Sequence, residues 1–148
     1  MFRGATSLSI DAKGRLAVPS RHRDALMNQS AGHLVLTAHP HRCLLLYPQP
    51  AWEPIQAKIM SLSSFDRQSS ALQRLLVGYA EDMEMDSAGR LLISPALRDF
   101  AQLEKQTMLV GQGSHFELWG MDAWKTQLGH VLDDENLVLP AELEGFSL

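Results

Sequence analysis

Apolar and polar positions alternate over residues 6–10, with Leu8 and Ile10 on one face and Ser7 and Ser9 on the other. That period predicts a half-buried strand. A turn at Ala12-Lys13-Gly14 follows, where Gly14 can take a positive φ. Residues 15–18 read as the return strand, with Leu16 and Val18 on one face, and Pro19 ends it. Ser20 is placed to cap a short helix over residues 21–27. Strands are expected at 34–37 and 43–47, and a helix opens near Ala51-Trp52. The pattern then recurs. Residues 84–86 and 90–93 flank a turn at Ser87-Ala88-Gly89. Ser94 caps a helix whose first position is Pro95, where the missing N–H is not needed. Strands at 108–111 and 116–119 precede a helix near Ala123-Trp124. Between the two series, residues 66–78 read as helical, with Leu72, Leu75 and Leu76 as a packing stripe. Beyond Leu132 the periodicity is weak, and the tail is expected to be partly mobile.

The recurrence is literal. Asp11-Ala-Lys-Gly-Arg15-Leu-Ala-Val-Pro19 returns as Asp86-Ser-Ala-Gly-Arg90-Leu-Leu-Ile-Ser-Pro95 at an offset of 75, and Arg23-Asp24 returns as Arg98-Asp99. Tyr47-Pro-Gln-Pro-Ala51-Trp52 answers to Trp119-Gly-Met-Asp-Ala123-Trp124 at an offset of 72. The change of offset puts three extra residues in the first copy, expected in a loop near residues 37–42. Each copy spans about 50 residues, a length at which a private core is marginal, so the halves are expected to share one. The expected fold is mainly β with short helices (α+β), two tandem repeats forming a pseudo-two-fold β-barrel. Closure would remove the edges that a lone half exposes. The division expected is a first module at 5–54, a helical connector at 55–79, a second module at 80–126 and an acidic tail at 127–148.

Composition adds constraints. Cys43 is the single cysteine, so no internal disulfide forms and a reducing compartment is expected. The first residues lack the apolar run of a signal peptide, and no segment approaches the ~20 apolar residues of a membrane span. The expectation is a soluble cytosolic protein. The net charge of −4 conceals a division: residues 1–75 hold 9 Lys/Arg against 4 Asp/Glu, and residues 76–148 hold 4 against 13. Arg3, Lys13, Arg15, Arg21 and Arg23 crowd the first 23 residues with Asp11 alone against them. Such a block can present a basic face to a polyanion, or simply offset an acidic tail.

In Asp-x-x-x-Arg the two charged groups flank a glycine turn. Asp11 can accept from turn N–H groups and pair with Arg15, which makes a salt-bridged turn. A rigid turn can also project Arg15 and Lys13 outward, where the arginine fork suits phosphate oxygens or the O6/N7 edge of guanine. In the second copy Lys13 becomes Ala88, and Glu81, Asp82 and Glu84 precede the turn, so the first turn is the better candidate. Arg21 and Arg23 open the first helix and are either solvated or phosphate contacts. His39, His41 and Cys43, with His33 nearby, have an alternate spacing that would suit zinc on an extended strand, but Pro40 breaks such a strand and no second cysteine exists. No catalytic motif stands out. Gly113-Ser114 is the type of pair that self-cleaves to a pyruvoyl group in some barrel decarboxylases; here a loop is the simpler expectation.

Phe2-Arg3-Gly4-Ala5, the Asp11 to Leu16 run with Val18-Pro19, Cys43-Leu-Leu-Leu-Tyr47-Pro48, the Asp86 to Leu91 run and Phe116-Glu-Leu-Trp119 together resemble the MraZ family of bacterial transcriptional regulators. The resemblance extends from Met1 to about Trp124. It implies two fused swapped-hairpin modules of the SpoVT-AbrB type. It also implies double-stranded DNA as partner, bound at short direct repeats upstream of the division and cell-wall gene cluster. Ring-shaped homo-oligomers and a cytoplasmic, nucleoid-associated location come with it, and neither a cofactor, a metal nor a membrane does. The implied DNA contacts fall on Arg15 with Lys13, and Arg3, Gly14, Arg21 and Arg23 are further candidates. Asp11, Asp86, Gly89 and Arg90 are motif positions that can be structural. The rival expectation is a non-enzymatic scaffold whose basic face docks an acidic protein.

Overall fold

The same order of elements runs twice along the chain. In the first copy it is β1 (Ala5–Ser9), β2 (Arg15–Ala17), α1 (Ser20–Ser30), β3 (His33–Ala38), β4 (Leu44–Pro48) and α2 (Gln49–Met60). A connector holds α3 (Arg67–Leu72) and a π-helical turn (Gln73–Val77). The second copy is β5 (Glu81–Glu84), β6 (Arg90–Leu92), α4 (Pro95–Phe100), β7 (Gln106–Gly111), β8 (Phe116–Gly120) and α5 (Met121–Leu132), followed by a short 3₁₀ turn (Ala141–Leu143). The computed structural model describes residues 1–138 and 140–147.

The two copies interlock. Six strands form an antiparallel sheet in the order β1-β7-β8-β4-β3-β5, and β2 with β6 forms a separate ribbon. The first strand of each copy pairs with a strand of the other: β1 with β7, and β5 with β3. The remaining cross-copy pairs lie on a pseudo-two-fold axis. Leu16 faces its own equivalent Leu91 in the ribbon, and Leu45 faces its equivalent Glu117 in the sheet. The fold is α+β, as expected. Among the described residues no ladder joins the sheet's outer strands β1 and β5, so the large sheet does not close on itself. Each outer strand instead turns into the ribbon, where the short β2 and β6 satisfy one another.

Packing explains why neither copy stands alone. One core contains Leu16, Val18, Leu26, Leu34, Leu36, Leu44 and Leu46 from the first copy with Leu91, Ile93, Leu97, Leu109, Phe116 and Leu118 from the second. Leu16 and Leu91 hang from the ribbon into it, 1% and 2% exposed. The sheet's other face is covered on one side by α2, where Trp52, Ile55 and Ile59 pack on Val35, Leu45 and Tyr47, and on the other by α5, where Ala123 and Trp124 pack on Val110 and Trp119.

Strand register places the three extra residues of the first copy. Ser9 pairs Gln106 and its equivalent Glu84 pairs His33, so His33 and Gln106 are equivalents at an offset of 73. Two of the three residues therefore lie between the α1 start and β3, where α1 has 11 residues and α4 has 6. Only the third falls in the β3–β4 loop, where all three were expected. Two smaller corrections follow. Ser20 is the first residue of α1 rather than its cap, and Pro19 at the cap makes no side-chain bond. At Ser94 the expected cap forms, its Oγ accepting from the Leu97 N–H at 3.3 Å. In the connector Leu72, at the end of α3, is exposed, and it is Leu76 and Val77 of the π turn that meet the α2 cluster.

Candidate nucleic-acid interface

The Asp-x-x-x-Arg segments fold into the same clamp. Asp11 Oδ1 accepts the backbone N–H groups of Lys13 and Arg15, both at 2.9 Å, and its Oδ2 accepts Arg15 Nε at 2.7 Å. Asp86 Oδ1 accepts those of Ala88 at 2.9 Å and Arg90 at 2.8 Å, and its Oδ2 accepts Arg90 Nε at 2.9 Å. The N–H donors, led by the arginine backbone, hold both carboxyls below the ordinary carboxylate range. One carboxylate thus organises the turn and orients the arginine. The bond uses Nε, and among the described residues no intramolecular hydrogen bond engages the Nη groups of Arg15 or Arg90.

Each turn is braced by the other copy. Gly14 has a φ of +88° and Gly89 of +76°, conformations that favour glycine. The Ile93 N–H donates to the Gly14 carbonyl at 2.9 Å, and the Val18 N–H to that of Gly89 at 2.8 Å. Against Gly14 lies the Arg98 side chain of α4, where a Cβ would come within 3.0 Å of Cζ. Against Gly89 lies Arg23 of α1, which a Cβ would strike outright. Arg23 Nε donates to the Val18 carbonyl at 2.7 Å. The equivalent Arg98 Nε is buried without a hydrogen-bond partner among the described residues.

Ribbon register fixes which side chains share the solvent face. Leu16 and Leu91 point into the core, so Arg15, Ala17, Arg90 and Leu92 point outward. Arg15 stands opposite Leu92, and Ala17 opposite Arg90. The two motif arginines are diagonal neighbours, about 8 Å apart. Lys13 is exposed at the tip beside them.

The six candidate DNA-contact positions separate into three places. Lys13, Gly14 and Arg15 are together at the first turn. Arg23 is half-buried beneath the second. Arg3 precedes β1, about 25 Å from the Asp11 turn by strand rise, and Arg21 of α1 reaches Thr6 on β1, about 17 Å from that turn. There Arg21 bonds the Thr6 hydroxyl and donates through Nε to His22 Nε2 at 3.1 Å. His22 is wedged between Phe2 and Phe116, with ring centroids 5.9 and 4.9 Å away. Burial and then the Arg21 charge lower its pKa, which keeps it neutral. Sequence reasoning missed Arg98 as a brace and Leu92 as an outward residue. The offset of 75 from Arg23 marks Arg98, but only the ribbon register places Leu92 beside Arg15.

The other candidates are apart from this surface. Residues 39–43 are a turn rather than a strand: the His39 N–H donates to the Cys43 carbonyl at 3.0 Å, and Arg42 has a φ of +65°. His39 Nδ1 accepts the His41 N–H at 3.1 Å, and burial pushes the Cys43 thiol up to about 12. Among the described residues no group of three or more His, Cys, Asp or Glu is arranged to hold a metal. Gly113 and Ser114 are in the β7–β8 turn, with Gly113 bridged to Phe2. Among the described residues no helix is long and apolar enough to cross a membrane.

Comparison with known proteins finds the same doubling. The family model described as "MraZ protein, putative antitoxin-like" matches twice, over residues 1–75 and 76–142. A protein of Methylobacillus flagellatus named transcriptional regulator MraZ is 77% identical over 148 residues, all of both chains. Proteins of the same name from Nitrosospira multiformis and Thiobacillus denitrificans are 57% and 53% identical over the same full length. The chain belongs to the MraZ family.

Proposed function

We propose that this protein is a DNA-binding transcriptional regulator, not an enzyme, whose β2–β6 ribbon docks in the major groove of duplex DNA. The carrying observation is the pair of identical carboxylate clamps that set Arg15 and Arg90 on one solvent face. The major groove admits a two-stranded β-ribbon, and the free Nη groups of an arginine match the guanine edge. Lys13 at the tip supplies a phosphate contact, and Arg3 and Arg21 supply outlying positive charge along β1. The full relatives' name, transcriptional regulator, agrees with such a partner.

One subunit offers few cations, so its grip is weak and salt-sensitive. Head-to-tail self-assembly into a ring would repeat the ribbon at fixed spacing. Direct repeats one helical turn apart, about 10 base pairs, would then meet successive ribbons on one side of the duplex. After the first contact the others bind at high effective concentration. The targets are repeats upstream of the division and cell-wall gene cluster, which places the protein on the nucleoid in the cytoplasm.

Electrophoretic shift at moderate salt tests the assignment. Arg15→Ala should lose specific binding by about 10-fold or more per contact, as expected for a bidentate base contact, with the assembly intact by light scattering. Undiminished binding by that variant removes Arg15 from the interface. Failure of the native protein to retain any duplex, with retention of an acidic protein instead, supports the scaffold alternative.

A further inference from the structure

We infer that Leu92 is a specificity-determining residue that packs on the 5-methyl group of a thymine and so gives the ribbon a direction on DNA; the inference rests on the docking proposed above. Leu92 is 62% exposed, and no other large apolar side chain on a strand is exposed among the described residues. Core packing does not require it, since its neighbours Leu91 and Ile93 fill the core at 2% and 1% exposure. It stands on the solvent face directly opposite Arg15.

Symmetry gives this position its meaning. The ribbon's pseudo-two-fold axis passes between Leu16 and Leu91, and the equivalent of Leu92 is Ala17. Identical copies would offer the same side chains in both directions and would favour a palindrome. Here each arginine has a cross-strand apolar partner, but the partner of Arg15 is a leucine and that of Arg90 an alanine. Thymine is the base that carries a methyl group into the major groove, and apolar side chains recognise it. Cross-strand partners are about 5 Å apart, and base pairs rise about 3.4 Å, so the thymine falls one or two steps from the guanine read by Arg15. The complex is then polar, which suits repeats in one orientation.

The test uses the full-length protein and duplexes selected from random DNA, in which each thymine is replaced in turn by deoxyuridine. That change removes only the methyl group. The native protein should weaken about fourfold at one thymine per repeat, the value of one buried methyl-sized group. Leu92→Ala should fold, bind about as weakly to the unmodified site, and ignore the replacement. Ala17→Leu should create a second methyl-sensitive position at the pseudo-symmetric place. A native protein indifferent to every replacement, or an L92A variant that keeps the sensitivity, overturns the inference while leaving DNA binding in place. A change of subunit number in L92A with methyl sensitivity retained overturns it too and makes Leu92 an assembly contact. Loss of the docking proposal looks different: no duplex is bound by any variant.

Discussion

The two turns share a clamp and differ in everything around it. In both, one carboxylate collects two backbone N–H groups and one guanidinium. The first turn carries Lys13 at its tip and is reached through Ser7 and Ser9 on β1, whereas the second carries Ala88 and is reached through Glu81, Asp82 and Glu84 on β5. The first is braced by an arginine whose Nε has no partner among the described residues, the second by one whose Nε is bonded. Duplication preserved the geometry and let the electrostatics diverge. A scaffold with two-fold symmetry thereby acquires a polarity without changing its backbone.

The comparison breaks hardest at the glycines. Placing Ala at a positive φ costs about 1–3 kcal/mol through the backbone alone. Both should exceed that, Gly89→Ala by more, because its Cβ would lie 2.3 Å from Nε of the anchored Arg23, whereas at Gly14 the new Cβ meets Arg98 Cζ and the Ile93 carbonyl at 3.0 Å. Urea unfolding midpoints rank the two; equal losses would mean that the braces are equivalent. The braces can then be removed directly. Arg23→Met breaks a part-buried bond to the Val18 carbonyl and should cost about 1–3 kcal/mol. Arg98→Met removes a buried donor without a partner among the described residues and should cost less than Arg23→Met, or nothing.

These asymmetries mark the limit of what the chain discloses by reading. The repeat, the strands and the paired Asp-x-x-x-Arg turns are legible because period-2 alternation and glycine turns are local. The partnership of strands is not. Nothing within residues 5–9 says that they will pair with residues 106–110, and the lie of α1 at its end hid two of the three extra residues. That Lys13, Gly14 and Arg15 lie together is legible because one turn holds them. Arg3, Arg21 and Arg23 are near them in sequence, but an extended β1 carries Arg3 away, α1 sets Arg21 against Thr6 on that strand, and the crossing of copies carries Arg23 under the other turn. Leu92 was invisible for the same reason: its neighbour Arg15 is 77 positions away in the chain.

Exchanging the turn tips sharpens the electrostatic half of the comparison. Lys13→Ala should lower the slope of log K against log salt by about one, with base preference unchanged. Ala88→Lys should raise it by a similar amount if the second turn also approaches phosphate. A slope unmoved by Ala88→Lys would show that the acidic approach along β5, or distance, keeps that end of the ribbon from the duplex. Either result measures how unequal the ends are on DNA.

The smallest effect concerns the feature that the turns share. Asp11 and Asp86 both titrate below the 3.8 of a free carboxyl, each chiefly through the backbone N–H of its arginine. A depressed folded pKa means that the unfolded chain takes up the proton first. The clamp's contribution is therefore complete above about pH 4 and is lost as pH falls through the depressed folded value. His22 also has a lowered pKa, but its window opens higher, as pH falls below the 6.5 of free imidazole. Stability against pH should show two descents on acidification. Asp11→Asn and Asp86→Asn should each flatten the lower one by a similar amount, since their bonds are alike, and leave the upper one in place. His22→Phe should make the upper descent shallower without abolishing it, because burial lowers the pKa of His39 and His115 in the same direction. If Asp11→Asn flattens the acid limb and Asp86→Asn does not, the clamps differ in energy despite equal geometry, and the divergence between the copies reaches into the turns themselves.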